Sequence, residues 1–114
     1  MPDREIELTT FEELKRVSGA DFIGELVDTF LDYSPKLIRE MKSALAAKDA
    51  ESFRRAAHSL KSNAATFGAN HLSQLAKELE MLGKENRLSE TGNRLETLEG
   101  SLQRASNELK GLRA

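Results

Sequence analysis

Apolar residues recur at steps of three and four positions through most of the chain, and this spacing restricts the fold more than any other feature. The longest such series spans residues 22–45. It consists of Phe22, Ile23, Leu26, Val27, Phe30, Leu31, Ser34, Leu37, Ile38, Met41 and Leu45. A series of this length predicts a long amphipathic helix whose apolar side faces a core. Pro35 lies within it, where the missing N–H group is expected to bend the helix without breaking it.

The same spacing predicts three further helices, and no segment alternates apolar and polar residues as a strand would. Lys48 and Asp49 form a turn, and Asp49 is suited to cap the helix that follows. That helix is expected to end at Gly68, and Asn70 is expected to cap the next one. Residues 83–89 are polar and predict a loop. The final helix carries Leu95, Leu98, Leu102, Ala105, Leu109 and Leu112 at alternating three- and four-residue steps.

A short helix is predicted ahead of the long one. Residues 1–8 carry no strong pattern and are expected to form a lead-in. Thr10 and Glu13 then have the spacing of a capping box, in which each side chain satisfies a free N–H group of the first turn. Ser18 and Gly19 are suited to end this helix.

Four amphipathic helices joined by short turns are typical of a helix bundle. We therefore predict an all-α fold. It consists of an antiparallel up-down-up-down four-helix bundle over residues 20–113, with an additional short N-terminal helix over residues 8–18. The chain has 114 residues, the usual size of one domain, and no segment has the composition of an interdomain linker. Residues 1–114 are therefore assigned to a single domain.

Composition and charge narrow the class of protein. The net charge of −2 argues against a general nucleic-acid binder, because neutralising phosphates needs a surplus of lysine and arginine. The absence of cysteine excludes disulfides, thiol catalysis and cysteine-ligated zinc. No apolar run approaches the ~20 residues of a membrane span, and the N-terminus lacks the apolar segment of a signal peptide. We expect a cytoplasmic protein, or a domain cut from a larger one, that is a monomer and contacts neither nucleic acid nor membrane.

The helix between Asp49 and Gly68 carries a histidine on its polar side. At 100° per residue, its apolar side collects Phe53, Ala56, Ala57, Leu60, Ala64 and Phe67. The opposite side collects Glu51, Arg54, Arg55, His58, Lys61, Ser62 and Ala65. His58 therefore points away from the core that its own helix helps to form.

An antiparallel hairpin centred on Ala69 brings His58 level with Glu80 of the next helix. A carboxylate that accepts from one imidazole nitrogen fixes the tautomer and leaves the other nitrogen free as a nucleophile. The ordinary alternative is that Glu80 pairs with Lys77 or Lys84 along its own helix.

The neighbours of His58 suit the approach of an acidic partner. Lys61, one turn further on, supplies positive charge where an anionic oxygen can rest. Ser62 and Ala65 are small, so that another protein surface can come close to the ring. Arg54 and Arg55 make the rim basic and are candidate partner contacts, although a simple solvated face is an equal explanation.

Other chemistries find little support in the sequence. His58 and His71 do not have metal-ligand spacing, and a lone His–Glu pair leaves too few ligands, so no metal site is predicted. No serine or aspartate completes a hydrolytic triad around His58. There is no P-loop or other glycine-rich nucleotide cradle, and no cofactor is expected.

The run H-S-L-K-S-N-A-A-T-F-G resembles the signature of histidine-phosphotransfer (HPt) domains, which reads H-x-L-K-G/S, five variable positions and a glycine. The match covers His58, Leu60, Lys61, Ser62 and Gly68. Ser62 stands where glycine is commonest, but serine is a known variant. The likeness extends over nearly the whole chain, from the long helix through the helical hairpin to the final helix.

The resemblance implies roles for particular residues. His58 would accept the phosphoryl group, and Lys61 would lie beside it. Gly68 resembles the glycine that closes the motif, and Leu60 belongs to the same structural signature. Glu80 falls where family members carry a Glu or Gln that hydrogen-bonds the histidine, and glutamate there is similar to chemotaxis-type kinase modules.

The function implied is that of a phosphocarrier in a two-component phosphorelay rather than an enzyme with its own nucleotide site. A histidine kinase or a receiver phosphoaspartate would donate the phosphoryl group, and the receiver aspartate of a response regulator would accept it, with Mg²⁺ bound on the receiver. Two alternatives stay open. In the first, the chain is not a separate carrier but the phosphoacceptor domain of a larger chemotaxis-type or hybrid histidine kinase. In the second, it is a helical adaptor in which His58 performs no chemistry.

Overall fold

The computed structural model describes residues 5–113, which form five α-helices and one short 3-10 helix and contain no strand. The α-helices are α1 (Leu8–Ser18), α2 (Ile23–Ala47), α3 (Ala50–Thr66), α4 (Asn70–Lys84) and α5 (Arg94–Leu112). The 3-10 helix spans Leu88–Glu90. For this part of the chain, the predicted all-α class is therefore confirmed.

Side chains from all five α-helices meet in one hydrophobic cluster. Its fully buried members include Phe11, Val27, Phe53, Leu60, Leu79 and Leu98. The Phe30 and Phe67 rings lie in contact, with centroids 5.1 Å apart. Helix α3 makes its most extensive contact with α4 and the next most extensive with α2. The side of α3 that was predicted to be apolar is buried throughout.

Helix α2 is continuous through Pro35, so the proline does not break it, as predicted. Phe22 is a correction to the predicted apolar series. It precedes the first helical residue, Ile23, and is 48% exposed, because it lies outside the helical repeat that directs Ile23 into the core.

The predicted bounds of the N-terminal helix, 8–18, agree with α1, but two of the three predicted capping residues are wrong. The Asp49 side chain accepts the backbone N–H of Ser52, which caps α3 as expected. Helix α1 begins earlier than the proposed capping box, with Glu7 as its cap and Thr10 as a donor to the Glu7 carboxylate. Asn70 is the first helical residue of α4 and does not cap it with its side chain.

The end of α1 agrees with the prediction, while the end of α4 does not. Ser18 is the last residue of α1, and Gly19 follows with φ +97°. Residues 83 and 84 were assigned to a loop but continue α4, because Gly83 is buried against α3 and packing outweighs the low helix propensity of glycine. The 3-10 helix occupies part of the remaining segment.

Residues 5–7 are held against the helices, although the sequence suggested an unpatterned lead-in. Glu5 and Ile6 are buried, and their N–H groups donate to the Glu108 carboxylate of α5 at 2.8 and 3.0 Å. The N–H of Glu7 donates to the carbonyl of Gly68 at 2.7 Å. Residues 1–4 of the expected lead-in lie outside the described part of the chain.

Across residues 5–113, no helix combines the length and the apolar character needed to cross a membrane.

Candidate functional site

Helices α3 and α4 form an antiparallel hairpin that positions the predicted site. Gly68 follows the end of α3 with φ +80°, a left-handed conformation that glycine adopts without strain. Near the turn of the hairpin, the Ser73 hydroxyl of α4 donates to the Lys61 carbonyl of α3 at 3.0 Å. Further from the turn, Gly83 of α4 lies against Arg54 of α3. The residues between these two levels are brought face to face.

His58 and Glu80 meet between those two levels. The imidazole Nδ1 lies 2.8 Å from Glu80 Oε2, so the predicted contact is confirmed. The His58 side chain is 54% exposed, whereas that of Glu80 is 13% exposed. Helix geometry explains this arrangement: Leu79 of α4 faces the core and is fully buried, and Glu80, about 100° further around the helix, lies at the edge of the core.

Glu80 also holds Lys61. The ammonium group of Lys61 lies 2.8 Å from Glu80 Oε1, the oxygen that does not contact the ring. The alternative partners Lys77 and Lys84 are therefore not the ones that Glu80 contacts. The largely buried Glu80 carboxylate thus contacts both His58 and Lys61 of α3.

The electrostatics of the site favour an ionised Glu80. Burial would by itself raise the pKa of this carboxyl group. The hydrogen bonds from Lys61 and His58, together with the charge of Lys61, outweigh burial, so the pKa of Glu80 lies below the ordinary 4.5. An ionised carboxylate can only accept hydrogen bonds, and Nδ1 of His58 must therefore carry the proton of a neutral ring. The Nε2 lone pair is left free, which makes this nitrogen the available nucleophile.

The other residues of the predicted partner-binding set lie on the same side of α3. Arg55, Ser62 and Ala65 are exposed. Arg54 is partly covered and is held by the Glu51 carboxylate at 3.0 and 2.6 Å, so its guanidinium group has a partner within the chain. Leu60 points the other way and is fully buried, consistent with a structural position.

A second imidazole–carboxylate pair was missed by the sequence analysis, which considered His71 only as a possible metal ligand. Its Nδ1 lies 3.3 Å from Glu5 Oε1, and its side chain is 52% exposed. Glu5, only 3% exposed, also accepts from Ser101 Oγ at 2.7 Å and from Arg104 Nε at 2.9 Å. These partners lie far apart in sequence, and no local pattern could have predicted the cluster. Within residues 5–113, no group of three or more potential ligands is arranged to hold a metal ion.

Comparisons with known proteins agree with this geometry. Residues 25–108 match the family model described as the Hpt domain. The structure superposes with a TM-score of 0.91 on the crystal structure of histidine-containing phosphotransfer protein B (HptB) from Pseudomonas aeruginosa PAO1. The two chains are 28% identical, and the superposition covers 98% of this chain and 96% of that one.

A segment of 76 residues, 67% of this chain, is 32% identical to the sensor protein TorS of Escherichia coli (strain K12). That match spans 8% of TorS, which is a much longer protein. Because the family model covers well over half of the chain, the predicted family is confirmed. This protein belongs to the Hpt domain family, whose members are phosphocarriers of two-component phosphorelays that work with histidine kinases and response-regulator receivers.

Proposed function

We propose that His58 is the residue through which this chain carries the phosphoryl group. The Nε2 lone pair attacks the phosphorus of an acyl phosphate on a donor receiver, forming the N–P bond as the P–O bond breaks and the donor carboxylate leaves. The ring gains a positive charge and keeps its proton on Nδ1. The reverse reaction delivers the phosphoryl group to the aspartate of a second receiver, or a histidine kinase serves as the donor. The observation that carries this proposal is the half-exposed ring with Nδ1 held by Glu80 at 2.8 Å.

Glu80 and Lys61 support this step in different ways. Glu80 orients the ring and stabilises the positive charge that the ring acquires on phosphorylation. Lys61 offsets the negative charge of the phosphoryl oxygens. Ser62 and Ala65 leave room for the partner beside the ring, and Arg55 contributes positive charge toward the acidic, Mg²⁺-binding site of a receiver.

The finer features of the module are also proposals. We propose that α2 to α5 form an up-down-up-down four-helix bundle with α1 beside it, and that the whole chain is one domain that acts as a monomer. The sequence carries no glycine-rich nucleotide motif, so the donor protein supplies the phosphoryl group. The proposed role places the chain in the cytoplasm with its receivers.

The match to TorS favours a second possibility. Since the matched segment is a small part of that sensor protein, the sequence described here is equally suited to be the phosphoacceptor domain of a larger hybrid kinase. Both possibilities assign the same chemistry to His58 and differ only in whether the donor is a separate protein.

The test is transfer from a phosphorylated receiver in the presence of Mg²⁺. Wild-type protein is expected to acquire phosphate that is labile in acid and stable in base, as expected for phosphohistidine. His58→Gln is expected to abolish labelling with unchanged helicity by circular dichroism, while His71→Gln, the matched control, retains it. Labelling that persists in His58→Gln moves the site elsewhere, and an unlabelled wild-type protein indicates an adaptor.

A further inference from the structure

Glu80 reaches His58 across the gap between two helices, so the spacing and register of α3 and α4 decide whether the contact exists. His58 and Lys61 both lie on α3, and each meets the Glu80 carboxylate at 2.8 Å. Charge-assisted hydrogen bonds of this kind are strongest over a narrow range of distance. A displacement of α4 by a few tenths of an ångström therefore weakens both contacts together. Residues that fix α4 against α3 act on the ring without touching it.

Gly83 is the first of these residues. It lies one turn beyond Glu80, is buried, and is the penultimate residue of α4, where its backbone is helical and not left-handed. A Cβ atom on Gly83 would lie 3.0 Å from the carbonyl oxygen of Ala50 and 3.0 Å from both the backbone nitrogen and Cβ of Arg54. These atoms belong to, or are attached directly to, the backbone of α3 and cannot swing aside. Alanine has the higher helix propensity, so what glycine provides here is close approach of the two helices.

Ser73 fixes the hairpin on the other side of the site. Its hydroxyl donates to the backbone carbonyl of Lys61 at 3.0 Å, which joins α4 directly to the α3 backbone. Ser73 precedes Glu80 by two helical turns, whereas Gly83 follows it by one. The two interhelical contacts therefore bracket the carboxylate: Ser73 meets the α3 backbone about one turn after His58, and Gly83 meets it between one and just over two turns before His58.

We propose that Ser73 and Gly83 are positioning residues for phosphotransfer, which hold α4 at the distance and register that keep Glu80 on the His58 ring. This inference rests on the proposed function of His58 and adds that the transfer rate depends on the spacing of α3 and α4. Neither residue contacts the imidazole, so their effect on the rate passes through Glu80.

The kinetic test uses Gly83→Ala with and without Glu80→Ala, in single-turnover transfer from a phosphorylated receiver. Gly83→Ala is expected to slow transfer about three- to tenfold when Glu80 is present and to cause no further slowing when it is absent. Gly100→Ala is the matched control, because its added Cβ meets only the flexible guanidinium of Arg104, at 3.4 Å, and the rate should not change. Equal slowing by Gly83→Ala in both backgrounds overturns the proposal.

A spectroscopic test follows the ring itself, through two-bond ¹H–¹⁵N spectra of the imidazoles in alkaline solution, where imidazoles are neutral. Gly83→Ala, and the milder Ser73→Ala, are expected to shift His58 from the Nδ1–H tautomer toward Nε2–H. His71, held by Glu5, should keep its spectrum and serves as an internal reference. An unchanged His58 spectrum in both variants overturns the proposal. If wild-type protein accepts no phosphoryl group, the proposed function fails, and these spectra still decide whether the two residues position the ring.

Discussion

Glu80 uses its two oxygens for two different partners, Oε2 for the His58 ring and Oε1 for the Lys61 ammonium group. Lys61 is therefore already held one helical turn from the nucleophile before any phosphoryl group arrives. If the ring is phosphorylated as proposed, the phosphoryl oxygens offer the ammonium group a second anionic partner. The contribution expected of Lys61 is positive charge, separate from the orientation of the ring by Glu80.

Substitution of Lys61 should therefore affect the rate more than the ring. In Lys61→Gln we expect the Nδ1–H tautomer of His58 to persist, because Glu80 still accepts from it. Transfer from a phosphorylated receiver should slow by about tenfold, less than the hundredfold or more lost with a buried oxyanion donor, because Lys61 is partly exposed. Rapid-quench measurement of the single-turnover rate gives the magnitude.

Lys77→Gln is the control for this prediction, since Lys77 is an exposed lysine of the same hairpin that does not contact Glu80. Its rate should equal that of the wild type. A Lys61→Gln rate that matches Lys77→Gln would show that charge at position 61 plays no part in transfer.

At the scale of helices and turns, the connection between α3 and α4 depends on Gly68 for two reasons. Its φ of +80° is a conformation that residues with a side chain rarely adopt, and a Cβ there would lie 2.8 Å from the carbonyl oxygen of Glu7. The same glycine accepts the N–H of Glu7. The turn that directs α4 back along α3 is thus also where the N-terminal segment attaches.

Gly68→Ala should consequently destabilise the fold more than a change in backbone conformation alone would. Gly19 offers the comparison, because its φ is +97° but nothing lies within 4 Å of an added Cβ. We expect Gly19→Ala to lower the free energy of unfolding by about 1–3 kcal/mol, because φ 97° with ψ 143° is a region that residues with a side chain rarely adopt, and Gly68→Ala to lower it by at least about 1 kcal/mol more, because overpacking is added. Urea denaturation followed by circular dichroism measures both.

Equal losses in the two variants would mean that the N-terminal segment moves away from the added methyl group without cost. That result would contradict the tight packing of Glu7 on the turn.

Some of these elements follow from local sequence and others do not, for physical reasons. The polar side of α3 and the contact of His58 with Glu80 follow from helical periodicity and from the geometry of one tight hairpin, and both were predicted. Helix starts depend on which of several competing polar side chains bonds the first free N–H groups, and the choices of Thr10 and Asn70 were wrong. Gly83 reads as a loop residue in isolation, and only its burial against α3 shows why it is helical.

Across the whole molecule, the Glu5 cluster ties the start of the described chain to its last helix. Glu5 accepts from Ser101 and Arg104 of α5 and contacts His71 of α4. Burial would by itself raise the pKa of Glu5, but the hydrogen bonds from Ser101, Arg104 and His71 outweigh it and hold the pKa below the ordinary 4.5. Contacts between residues so distant in sequence leave no periodic or local sign, which is why this cluster was not predicted.

The lowered pKa values of Glu5 and Glu80 predict a loss of stability in acid. A carboxyl group whose pKa is lower in the folded state stabilises the fold above its unfolded pKa and loses that contribution as the pH falls through the folded value. The free energy of unfolding should therefore decline below about pH 4.5. Glu5→Gln should lower it at neutral pH by about 1–3 kcal/mol and make it less dependent on pH in the acid range. Urea titrations between pH 3 and pH 7 provide the comparison.

Glu78→Gln is a suitable control, because Glu78 is an exposed glutamate of α4. It should retain the pH dependence of the wild type. An acid-range slope in Glu5→Gln as steep as that in Glu78→Gln would show that Glu5 does not contribute to the acid sensitivity.

The exposure of the His58 ring on the outer face of α3 has a consequence for the lifetime and transfer of the phosphoryl group that we propose it carries. In the proposed role, a phosphoryl group on Nε2 would be open to water as well as to visiting proteins, because the His58 side chain is 54% exposed. Under this proposal, the stored group would last only as long as the intrinsic hydrolysis of the N–P bond allows. The relative abundance and phosphorylation of the receivers would then decide the direction of phosphoryl transfer. Two receivers that share this carrier would approach the same phosphorylation equilibrium.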